Sequence, residues 1–408
     1  MRIHKQERNY VITAMMAVTI TVLIVIFSED AFNAALEGLK VWWEIVFPSL
    51  LPFFIIAEIL MGLGVVHFMG ALLEPLMRPL FKVPGVGAFA MAMGLASGYP
   101  IGAKITASLR RKRLCSKTEA ERLVSFTNTA DPLFMVGAVA VGMFHRADLG
   151  IIIAGAHYIS SIIIGLVLRF YKGEKSERTF MPRKNKNRRN ILSYAITELI
   201  EARKNDGRPL GELLGDSVRE SVNTLLMVGG FIILFSVITE IFIVTGLINA
   251  MTRFFMYILQ PLGLSQTMVL PLISGFFEIT NGTNLASQAM APLLQQVIIA
   301  NAVIAWSGLS VHAQVATMVN GTDIKLKPYV FARILQSILA GVITIFLFIP
   351  YSKKIEPTFL PFLQQMNLQN GLLLISAIFV TILGGSLFLS LLIYTIQKIR
   401  IIYFHFHR

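Results

Sequence analysis

Two apolar stretches of this chain are interrupted by glycines and hydrogen-bonding side chains, and they occupy matching places in its two halves. The first covers residues 86–109 and contains the sequence SGYPIGAK at 97–104. The second covers residues 267–294 and contains EITNGTN at 278–284. Backbone groups without partners are tolerated at membrane depth only where they line a cavity or are buried in protein. Paired interruptions of this kind are typical of the binding site of a secondary transporter.

The first interruption has the chemistry of an anion site. Gly98, Pro100 and Gly102 oppose a continuous helix, so a helix that restarts after Pro100 directs free N–H groups towards the break. Lys104 follows one turn later, and a helix N-terminus beside a cation favours a negatively charged ligand. The alternative is a kink packed against neighbouring helices, with Lys104 reaching the inner surface. The residues predicted to bind substrate here are Ser97, Gly98, Tyr99, Gly102 and Lys104.

The second interruption is more polar, and burying so many amides and hydroxyls is costly unless they bind each other or a ligand. Glu278 is its acid. This carboxylate is a candidate to bind a coupling cation, to carry a proton or to pair with Lys104; the alternative is a helix-capping cluster at the outer surface. The residues predicted to bind substrate here are Thr280, Asn281, Gly282, Thr283 and Asn284.

Two further apolar segments carry polar residues near their middles. The sequence TNTADP at 127–132 places Asp131 before a proline, which disfavours helix there and frees carbonyls. Asp131 is therefore a candidate for a coupling ion or proton, or it caps the helix that follows. The sequence SGLSVHAQ at 307–314 contains a lone histidine, which either lines the path or packs in the core. These segments predict substrate contacts by Thr127, Asn128, Ser307, Ser310, His312 and Gln314.

Composition restricts the class of protein. Of the 408 residues, 55% are hydrophobic and 14% are charged, which is far too apolar for a soluble domain. The net charge is +13, but the lysines and arginines lie in short connections between apolar segments, where they orient a membrane protein rather than bind nucleic acid. Cys115 is the single cysteine, which excludes an intrachain disulfide and a thiolate metal cluster. No motif typical of an enzyme or ATPase occurs, so we expect neither catalysis nor a cofactor.

Hydropathy and basic residues predict an all-α polytopic membrane protein with about eight spans and two re-entrant helical hairpins arranged as an inverted repeat. The predicted spans cover residues 11–27, 39–66, 123–144, 149–171, 218–247, 295–319, 329–349 and 372–396. The basic cluster at 110–113 stays on the inner side with the other basic connections only if residues 86–109 form a hairpin. Lys353 and Lys354 then fall outside, against this rule.

The two halves share polar residues and glycines at matching positions, which indicates the internal repeat. A shift of 182 residues aligns Glu58 with Glu240, Gly64 with Gly246 and Pro79 with Pro261; a slip of one or two residues adds Gly94 with Gly275 and Gly102 with Gly282. The two glutamates are expected to hold hairpins or helices in place by hydrogen bonds. The repeat is inverted by an odd number of crossings, so the hairpin tips are expected to meet near the midplane.

This organisation divides the chain into five predicted parts. They are an N-terminal membrane span (1–30), a first repeat (31–171), a basic cytoplasmic loop (172–209), a second, inverted repeat (210–350) and a C-terminal span with a basic tail (351–408).

Three motifs, GLASGYPIGAK at 94–104, FTNTADP at 126–132 and SGLSVHAQ at 307–314, together resemble the YlbJ (SpoVV) family of sporulation integral membrane proteins over nearly the whole chain. This family belongs to the wider Gate, or nucleoside-recognition, group, which is similar in plan to the concentrative nucleoside transporters. The resemblance implies a protein in the outer forespore membrane of a sporulating bacterium that moves dipicolinic acid from the mother cell toward the forespore. The first tip lacks the acid of nucleoside-transporter hairpins, which weakens a nucleoside assignment.

The residues and the resemblance favour a secondary transporter or facilitator of a small organic anion, dipicolinate. Two alternatives stay open: a non-transporting membrane assembly factor for spore maturation, and a nucleoside or metal-ion permease. The expected partners are the anion, membrane lipid, a coupling ion (proton or sodium) and further copies of the chain in a homo-oligomer.

Overall fold

A computed structural model describes residues 5–172, 191–259 and 263–352, and within these ranges the regular structure is helical, without strands. The first half contains α1 (Lys5–Ile26), α2 (Ser28–Val41), α3 (Phe47–Gly62), α4 (Val65–Phe81), α5 (Gly87–Ser97), α6 (Ile101–Arg111), α7 (Lys117–Thr127), a π-helix (Leu133–Met143) and α8 (Leu149–Leu168). The second contains α9 (Ile191–Asp206), α10 (Leu210–Val244), α11 (Leu247–Leu259), α12 (Val269–Phe277), α13 (Ile279–Gln288), α14 (Leu293–Trp306), α15 (Gly308–Met318) and α16 (Lys327–Ser352).

The elements follow each other in the same order in the two halves. In each half a first helix (α3 or α10) is followed by an amphipathic helix (α4 or α11), a helical hairpin (α5–α6 or α12–α13), a broken helix (α7 with the π-helix, or α14 with α15) and a closing helix (α8 or α16). The arms of each hairpin pack against each other. An arm of 11 residues rises only about 17 Å, roughly half of a bilayer's hydrocarbon thickness. The predicted re-entrant hairpins are therefore confirmed.

The glycines aligned by the sequence repeat have matching roles. Gly64, between α3 and α4, has φ of +83°, and Gly246, between α10 and α11, has φ of +73°. Glycine adopts this left-handed conformation without the steric cost of a Cβ. At the first of these turns the chain bends by 82°. The alignment by 182 residues thus relates two equivalent bends of the backbone.

Packing between the halves is reciprocal. Helix α16 packs against α7, and its counterpart α8 packs against α14; α6 packs against α15, and its counterpart α13 packs against the π-helix. The equivalent pairs α3–α10 and α8–α16 also contact each other. These contacts between the halves therefore recur with the halves exchanged, as expected for two repeats related by a two-fold axis.

Two hydrophobic cores support this arrangement. One surrounds the first hairpin and includes the buried residues Met77, Ile105 and Leu123. The other lies between the π-helix, α8 and α14 and includes Met135 and Val303. The cores hold the broken helices in place from both sides of their breaks.

Four apolar segments within the described ranges are long enough to cross a membrane: α8, α10, the broken segment Leu293–Met318, and Lys327–Phe348 of α16. The number rises to six if the bent pairs α1–α2 and α3–α4 each count as one span. The predicted span 123–144 is made of two short helices, α7 and the π-helix. The predicted span 372–396, with Lys353 and Lys354, lies outside the described residues, so the total of about eight stays a prediction.

Basic connections predicted to share one side of the membrane lie together in the structure. Arg110 forms an ion pair with Asp323. Glu121 accepts hydrogen bonds from the Lys172 ammonium at 3.0 Å and from the backbone N–H of Lys325 at 3.3 Å. The ends of α6, α8 and α15 therefore meet at one end of the molecule.

Two of the stretches between the predicted spans each contain a helix. Residues 68–81, which connect the predicted span 39–66 to the first hairpin, belong to α4, which buries one apolar face that includes Leu73 and Met77. The basic loop predicted at 172–209 contains α9, which packs along α4. Both helices carry charged residues, and one face of each packs on the protein. Residues 173–190 lie outside the described residues.

Candidate functional site

The first hairpin presses two glycines against the end of α7. Gly94 on α5 and Gly102 on α6 face each other and the carbonyl oxygen of Thr127, and a Cβ at either glycine would overlap this oxygen. At the tip, Gly98 has φ of +74° and lies against Asp131. Glycine alone permits such close approach. The hairpin tip is thereby fixed beside the break that follows α7.

Two other tip residues also face the protein interior. The hydroxyl of Tyr99 donates to the carbonyl oxygen of Ile304 at 2.8 Å. Because Ile304 belongs to α14, this bond joins the first tip to the broken helix of the second half. Ser97 is fully buried, and its hydroxyl has no hydrogen-bond partner within the described part of the chain.

Lys104 is held by carboxylates from two other helices. Its ammonium lies 2.7 Å from Oε1 of Glu58 on α3 and 3.4 Å from Oε1 of Glu220 on α10. The prediction that Glu58 holds a hairpin in place is therefore confirmed. Two carboxylates offset the charge of the lysine, so less of it is left to attract an anionic ligand.

Helix α7 has well-defined ends. It begins with a capping box in which the Ser116 hydroxyl accepts from the Glu119 N–H at 3.3 Å, and the Glu119 carboxylate accepts from the Ser116 N–H at 2.7 Å. It ends at Thr127, whose hydroxyl donates back to the carbonyl oxygen of Leu123 at 2.8 Å. Thr127 therefore contributes its backbone carbonyl to the hairpin contact, while its hydroxyl is satisfied within the helix.

The break after α7 is held by side chains from three directions. The Thr129 hydroxyl donates to the carbonyl oxygen of Gly94 at 2.9 Å. The N–H of Ala130 donates to Nε2 of His157 on α8 at 3.1 Å. The Asp131 carboxylate accepts from the N–H of Phe134 at 2.8 Å, so it caps the helix that follows. The capping alternative for Asp131 is confirmed, and a coupling role stays a prediction.

Glu278 lies at the tip of the second hairpin with 2% of its surface exposed. Its carboxylate accepts from the N–H of Asn281 at 2.8 Å and caps α13. The predicted cap is therefore confirmed, but it is buried rather than at the outer surface. The predicted pairing of Glu278 with Lys104 is wrong, because the lysine is bound to other carboxylates.

The remaining polar residues of the second tip differ in burial. Thr283 is buried, and its hydroxyl donates to the carbonyl oxygen of Ile279 at 2.9 Å. Thr280 and Asn281 are half-buried, whereas Asn284 is exposed and accepts a hydrogen bond from Gln288 at 3.1 Å. Gly282 packs against Gly275, as its aligned counterpart Gly102 packs against Gly94. Asn284 therefore lies apart from the buried members of the tip.

The second broken helix touches the second hairpin at its break. Ser307 and Gly308 both have left-handed backbone conformations, with φ of +71° and +68°. A Cβ at Gly308 would lie 3.0 Å from the carbonyl oxygen of Phe277 and 3.2 Å from the Cα of Glu278. Each hairpin tip therefore lies at the break of the broken helix in its own half.

His312 lies one turn beyond this break. Its Nδ1 is 2.7 Å from the carbonyl oxygen of Gly308. A carbonyl can only accept, so Nδ1 carries the proton and neutral Nε2 is left as an acceptor. Nε2 has no partner within the described residues. The ring packs between those of Trp306 and Tyr329, at centroid distances of 4.3 and 5.2 Å.

Tyr329, at the start of α16, joins the two breaks. Its hydroxyl accepts from Nδ2 of Asn128 at 3.2 Å and lies 3.4 Å from the hydroxyl of Ser307. All three residues are fully buried. The side-chain oxygen of Asn128 has no partner among the described residues. The breaks of the two halves therefore meet through one phenol.

Arg333, one turn further along α16, is also fully buried. Its guanidinium donates to the carbonyl oxygens of Asn128 at 3.0 Å and Ser125 at 2.6 Å, and it lies 5.5 Å from the centre of the Tyr329 ring. Its Nε has no partner in the described ranges. We refer to Asn128, Ser307, His312, Tyr329 and Arg333 as the central cluster.

Several polar atoms of the central cluster have no hydrogen-bond partner among the described residues. Its atoms without partners among the described residues are Oδ1 of Asn128, Nε2 of His312 and Nε of Arg333, and the buried hydroxyl of Ser310, one turn from Ser307, is in the same condition. Gln314, on the same helix, is also buried. Buried polar atoms are almost always paired with protein or water, so such a group of atoms can bind a polar ligand. No set of three His, Cys, Asp or Glu residues that could hold a metal ion occurs among the described residues.

The structure brings together some predicted residues and not others. Asn128, Ser307 and His312 meet around Tyr329, whereas Lys104 is paired with Glu58. Tyr329 and Arg333 were missed by the sequence analysis. The available signal was an arginine inside the apolar segment 329–349, since ionisable residues within spans are usually functional. Because Arg333 lies near the start of this segment, it resembles the basic residues that flank the ends of membrane spans.

Comparison with known proteins gives three similarities. The family model described as Nucleoside recognition (Gate) matches residues 43–171 and 225–324. The sporulation integral membrane protein YlbJ of Bacillus subtilis (strain 168) is 47% identical over 342 residues, which cover 84% of this chain and 83% of that protein. A solved outward-facing structure of CNTnw with two substitutions is 12% identical, with a TM-score of 0.37, and the match covers 84% of this chain and 88% of that one.

Proposed function

Since the chain belongs to the Gate, or nucleoside-recognition, family and to the YlbJ group of sporulation integral membrane proteins, we propose that it transports a small organic anion across a membrane during sporulation. The anion we propose is dipicolinic acid. The protein acts as a secondary transporter or facilitator, in the outer forespore membrane, and moves the anion from the mother cell toward the forespore.

The observation that carries this proposal is the meeting of the two helix breaks at Tyr329. Asn128 from the first half and Ser307 from the second reach the same phenolic hydroxyl. In a transporter built from two repeats, the substrate site lies at the interface between the repeats. One repeat then moves relative to the other around the bound substrate. A scaffold that only docks a partner has no need of unpartnered polar atoms in its interior.

The chemistry of the junction favours an anion. Arg333 brings a positive charge to the central cluster. A nucleoside is neutral and would gain little from that charge, and a metal cation would be repelled by it. A small aromatic dianion can use that charge together with the unpartnered donors nearby, the Nε–H of Arg333 and the hydroxyl of Ser310. The free oxygen of Asn128 and Nε2 of His312 are acceptors and bind only a donor group of a ligand.

A coupling ion is part of the proposal. Glu278 and Asp131 each cap a helix next to a hairpin tip. A carboxylate in such a place can take up a proton or a sodium ion when the tip moves and the capping bond lengthens. Either acid can therefore link movement of a tip to binding of a cation. A homo-oligomer in the membrane is compatible with this scheme.

The test is uptake of labelled dipicolinate by proteoliposomes containing the full chain, with and without proton and sodium gradients. Uptake above that of empty liposomes, saturable and competed by unlabelled dipicolinate, supports transport. Liposomes with a Tyr329→Phe, Arg333→Gln double variant serve as the control for leak. Equal uptake by wild type, double variant and empty liposomes would refute the proposal in favour of an assembly factor, and saturable uptake of a nucleoside or a metal ion instead would favour a permease.

A further inference from the structure

Two fully or almost fully buried arginines in this chain differ in how their donors are used. Arg122, at the basic end of the molecule, donates to the carbonyl oxygens of Lys82, Tyr171 and Lys172, with N–O distances of 2.7 to 3.3 Å. Arg333 donates to two carbonyl oxygens and leaves Nε without a partner among the described residues. The second arginine therefore has a buried donor with no partner among the described residues.

The charge of Arg333 is also incompletely balanced. No carboxylate oxygen lies within 4 Å of it in the part of the chain that the structure describes. Its partners are neutral: the carbonyl oxygens of Ser125 and Asn128 at the end of α7, the hydroxyl of Tyr99, and the face of Tyr329. The C-terminal end of a helix carries only about half of an elementary negative charge. A buried charge that is not fully paired is costly, and an anionic ligand would remove that cost.

Lys104, the cation that the sequence places at the first hairpin tip, lacks this capacity. Glu58 and Glu220 both contact its ammonium. A ligand carboxylate would have to displace one of these residues or share the ammonium with them. Between the two cations, Arg333 has the lower degree of pairing and the deeper burial.

We propose that the Arg333 guanidinium binds a carboxylate of the transported anion, through its free Nε–H and its charge. This assignment rests on the proposed function and deepens it, since it names the group that selects carboxylates over neutral analogues. The bonds to Ser125 and Asn128 orient the guanidinium and tie it to the break after α7. Binding of the anion at Arg333 is thereby linked to the backbone of the first broken helix.

A purely structural role makes a different prediction. If Arg333 only secures the end of α7, its removal weakens the fold and the binding of every ligand alike. If it binds a carboxylate, its removal lowers binding of a dianion more than binding of a neutral molecule with the same shape. The ratio of the two affinities, measured on one preparation of one variant, separates the two roles even when the variant is less stable.

The experiment uses the full chain in lipid nanodiscs and compares binding of dipicolinate with that of pyridine-2,6-dicarboxamide, its neutral diamide. We expect wild type to prefer the dianion and Arg333→Gln to lose that preference by about tenfold to a hundredfold, the range typical of a hydrogen bond to a charged group. Arg333→Lys keeps the charge but not the Nε–H, and it is expected to keep an intermediate ratio. Arg122→Gln, the matched control, is expected to lower stability and keep the wild-type ratio.

The outcomes separate this assignment from the proposed function. An unchanged ratio in both Arg333 variants, with dipicolinate still bound, would overturn the role of Arg333 and leave the transport proposal standing. If Arg333→Gln does not fold, the ratio in Arg333→Lys decides, because a value equal to wild type contradicts a contact with Nε. If wild type binds neither dipicolinate nor other carboxylates such as isophthalate and benzoate, both proposals fail.

Discussion

Arg110 and Asp323 form a two-point ion pair that joins the two halves of the chain, with both N–O distances 2.8 Å. Arg110 lies at the end of α6 in the first hairpin, and Asp323 lies in the turn after α15. The neighbouring Arg111 donates to the carbonyl oxygen of Met318 at 2.9 Å and adds a second connection. The reciprocal contact, between α13 and the π-helix, has no side-chain hydrogen bond of this kind among the described residues. Within the described residues, the basic end of the molecule therefore has side-chain links between the halves that the reciprocal contact lacks.

This pair predicts a pH-dependent contribution to stability. The Arg110 guanidinium holds the pKa of the Asp323 carboxyl below its ordinary value. A lowered folded-state pKa gives stability that is present above the ordinary value, about 3.9, and is lost as the pH falls below it. Because both side chains are partly exposed, we expect a loss of at most about 1 kcal/mol for Asp323→Asn near neutral pH. Thermal unfolding from pH 7 to pH 3 should show the variant and wild type converging. A constant difference would contradict this, and a double cycle with Arg110→Gln isolates the pair.

Glycines in the first hairpin should resist substitution. Gly94→Ala and Gly102→Ala each place a methyl group onto the Thr127 carbonyl oxygen. Overpacking against backbone typically costs about 1–3 kcal/mol, and more where neither side can move. Gly230→Ala on α10, where a Cβ meets nothing within 4 Å, should raise stability by about 0.5–1 kcal/mol. Detergent-solubilised unfolding midpoints give all three values. Tolerance of both hairpin alanines would mean that the hairpin does not pack against α7 in this way.

Removing the hydroxyl of Tyr329 should weaken the junction of the two breaks. Tyr329→Phe leaves the Asn128 amide and the Ser307 hydroxyl without this partner. Leaving buried polar groups unpaired costs about 1–3 kcal/mol. We expect a loss of stability in this range together with reduced dipicolinate uptake. Tyr257→Phe, at a position with 83% of its surface exposed, is the control and should change neither. Unaltered uptake by Tyr329→Phe would argue against substrate contact at the junction.

Replacing Lys104 should lower the stability of the protein without changing its preference for a dianion over a neutral ligand. Lys104→Gln leaves Glu58 and Glu220 without their shared cation. Breaking a partly buried pair on one side is destabilising, here by about 1–3 kcal/mol. The affinity ratio between dipicolinate and its diamide should stay at the wild-type value. This expectation revises the sequence-based assignment of Lys104 as an anion ligand. A fall in the ratio as large as that for Arg333→Gln would restore the original assignment, and Lys40→Gln, on the exposed end of α2, controls for loss of a positive charge.

Glu278→Gln tests the coupling role. Glutamine can still accept the hydrogen bond from the Asn281 N–H, although the cap is weaker by about 0.5–2 kcal/mol at most. It cannot take up a proton or balance a sodium ion. We expect uptake by the variant to lose its dependence on the proton or sodium gradient. Glu119→Gln, which alters a cap at the far end of α7, should keep that dependence. Retained dependence in Glu278→Gln would leave this residue as a cap alone.

Prediction from the sequence succeeded where a single physical signal was strong. Long apolar runs with internal glycines and prolines located both hairpins and both broken helices, because bare backbone is excluded from lipid. The alignment of Gly94 with Gly275 and Gly102 with Gly282 located the contact between the arms of each hairpin.

The predictions that failed all depend on contacts between residues that are far apart in the sequence. Whether Lys104 is free or neutralised depends on Glu58 and Glu220, which lie 46 residues before it and 116 residues after it in the sequence. The importance of Arg333 depends on which groups surround it, and its partners come from α7. Helix α9 was assigned to a loop because its charge hides a face that packs on α4.

The reciprocal packing of the halves has a consequence for how such a protein can arise. Asn128 and Tyr329 come from different repeats, and neither repeat alone holds both members of the contact. A polypeptide with the length of one repeat could build this junction only by associating with a second copy inserted in the opposite orientation. Gene duplication and fusion would then convert a dual-topology homodimer into one chain. After fusion the equivalent positions are free to diverge, which is how one half can carry an arginine at its centre while the other does not.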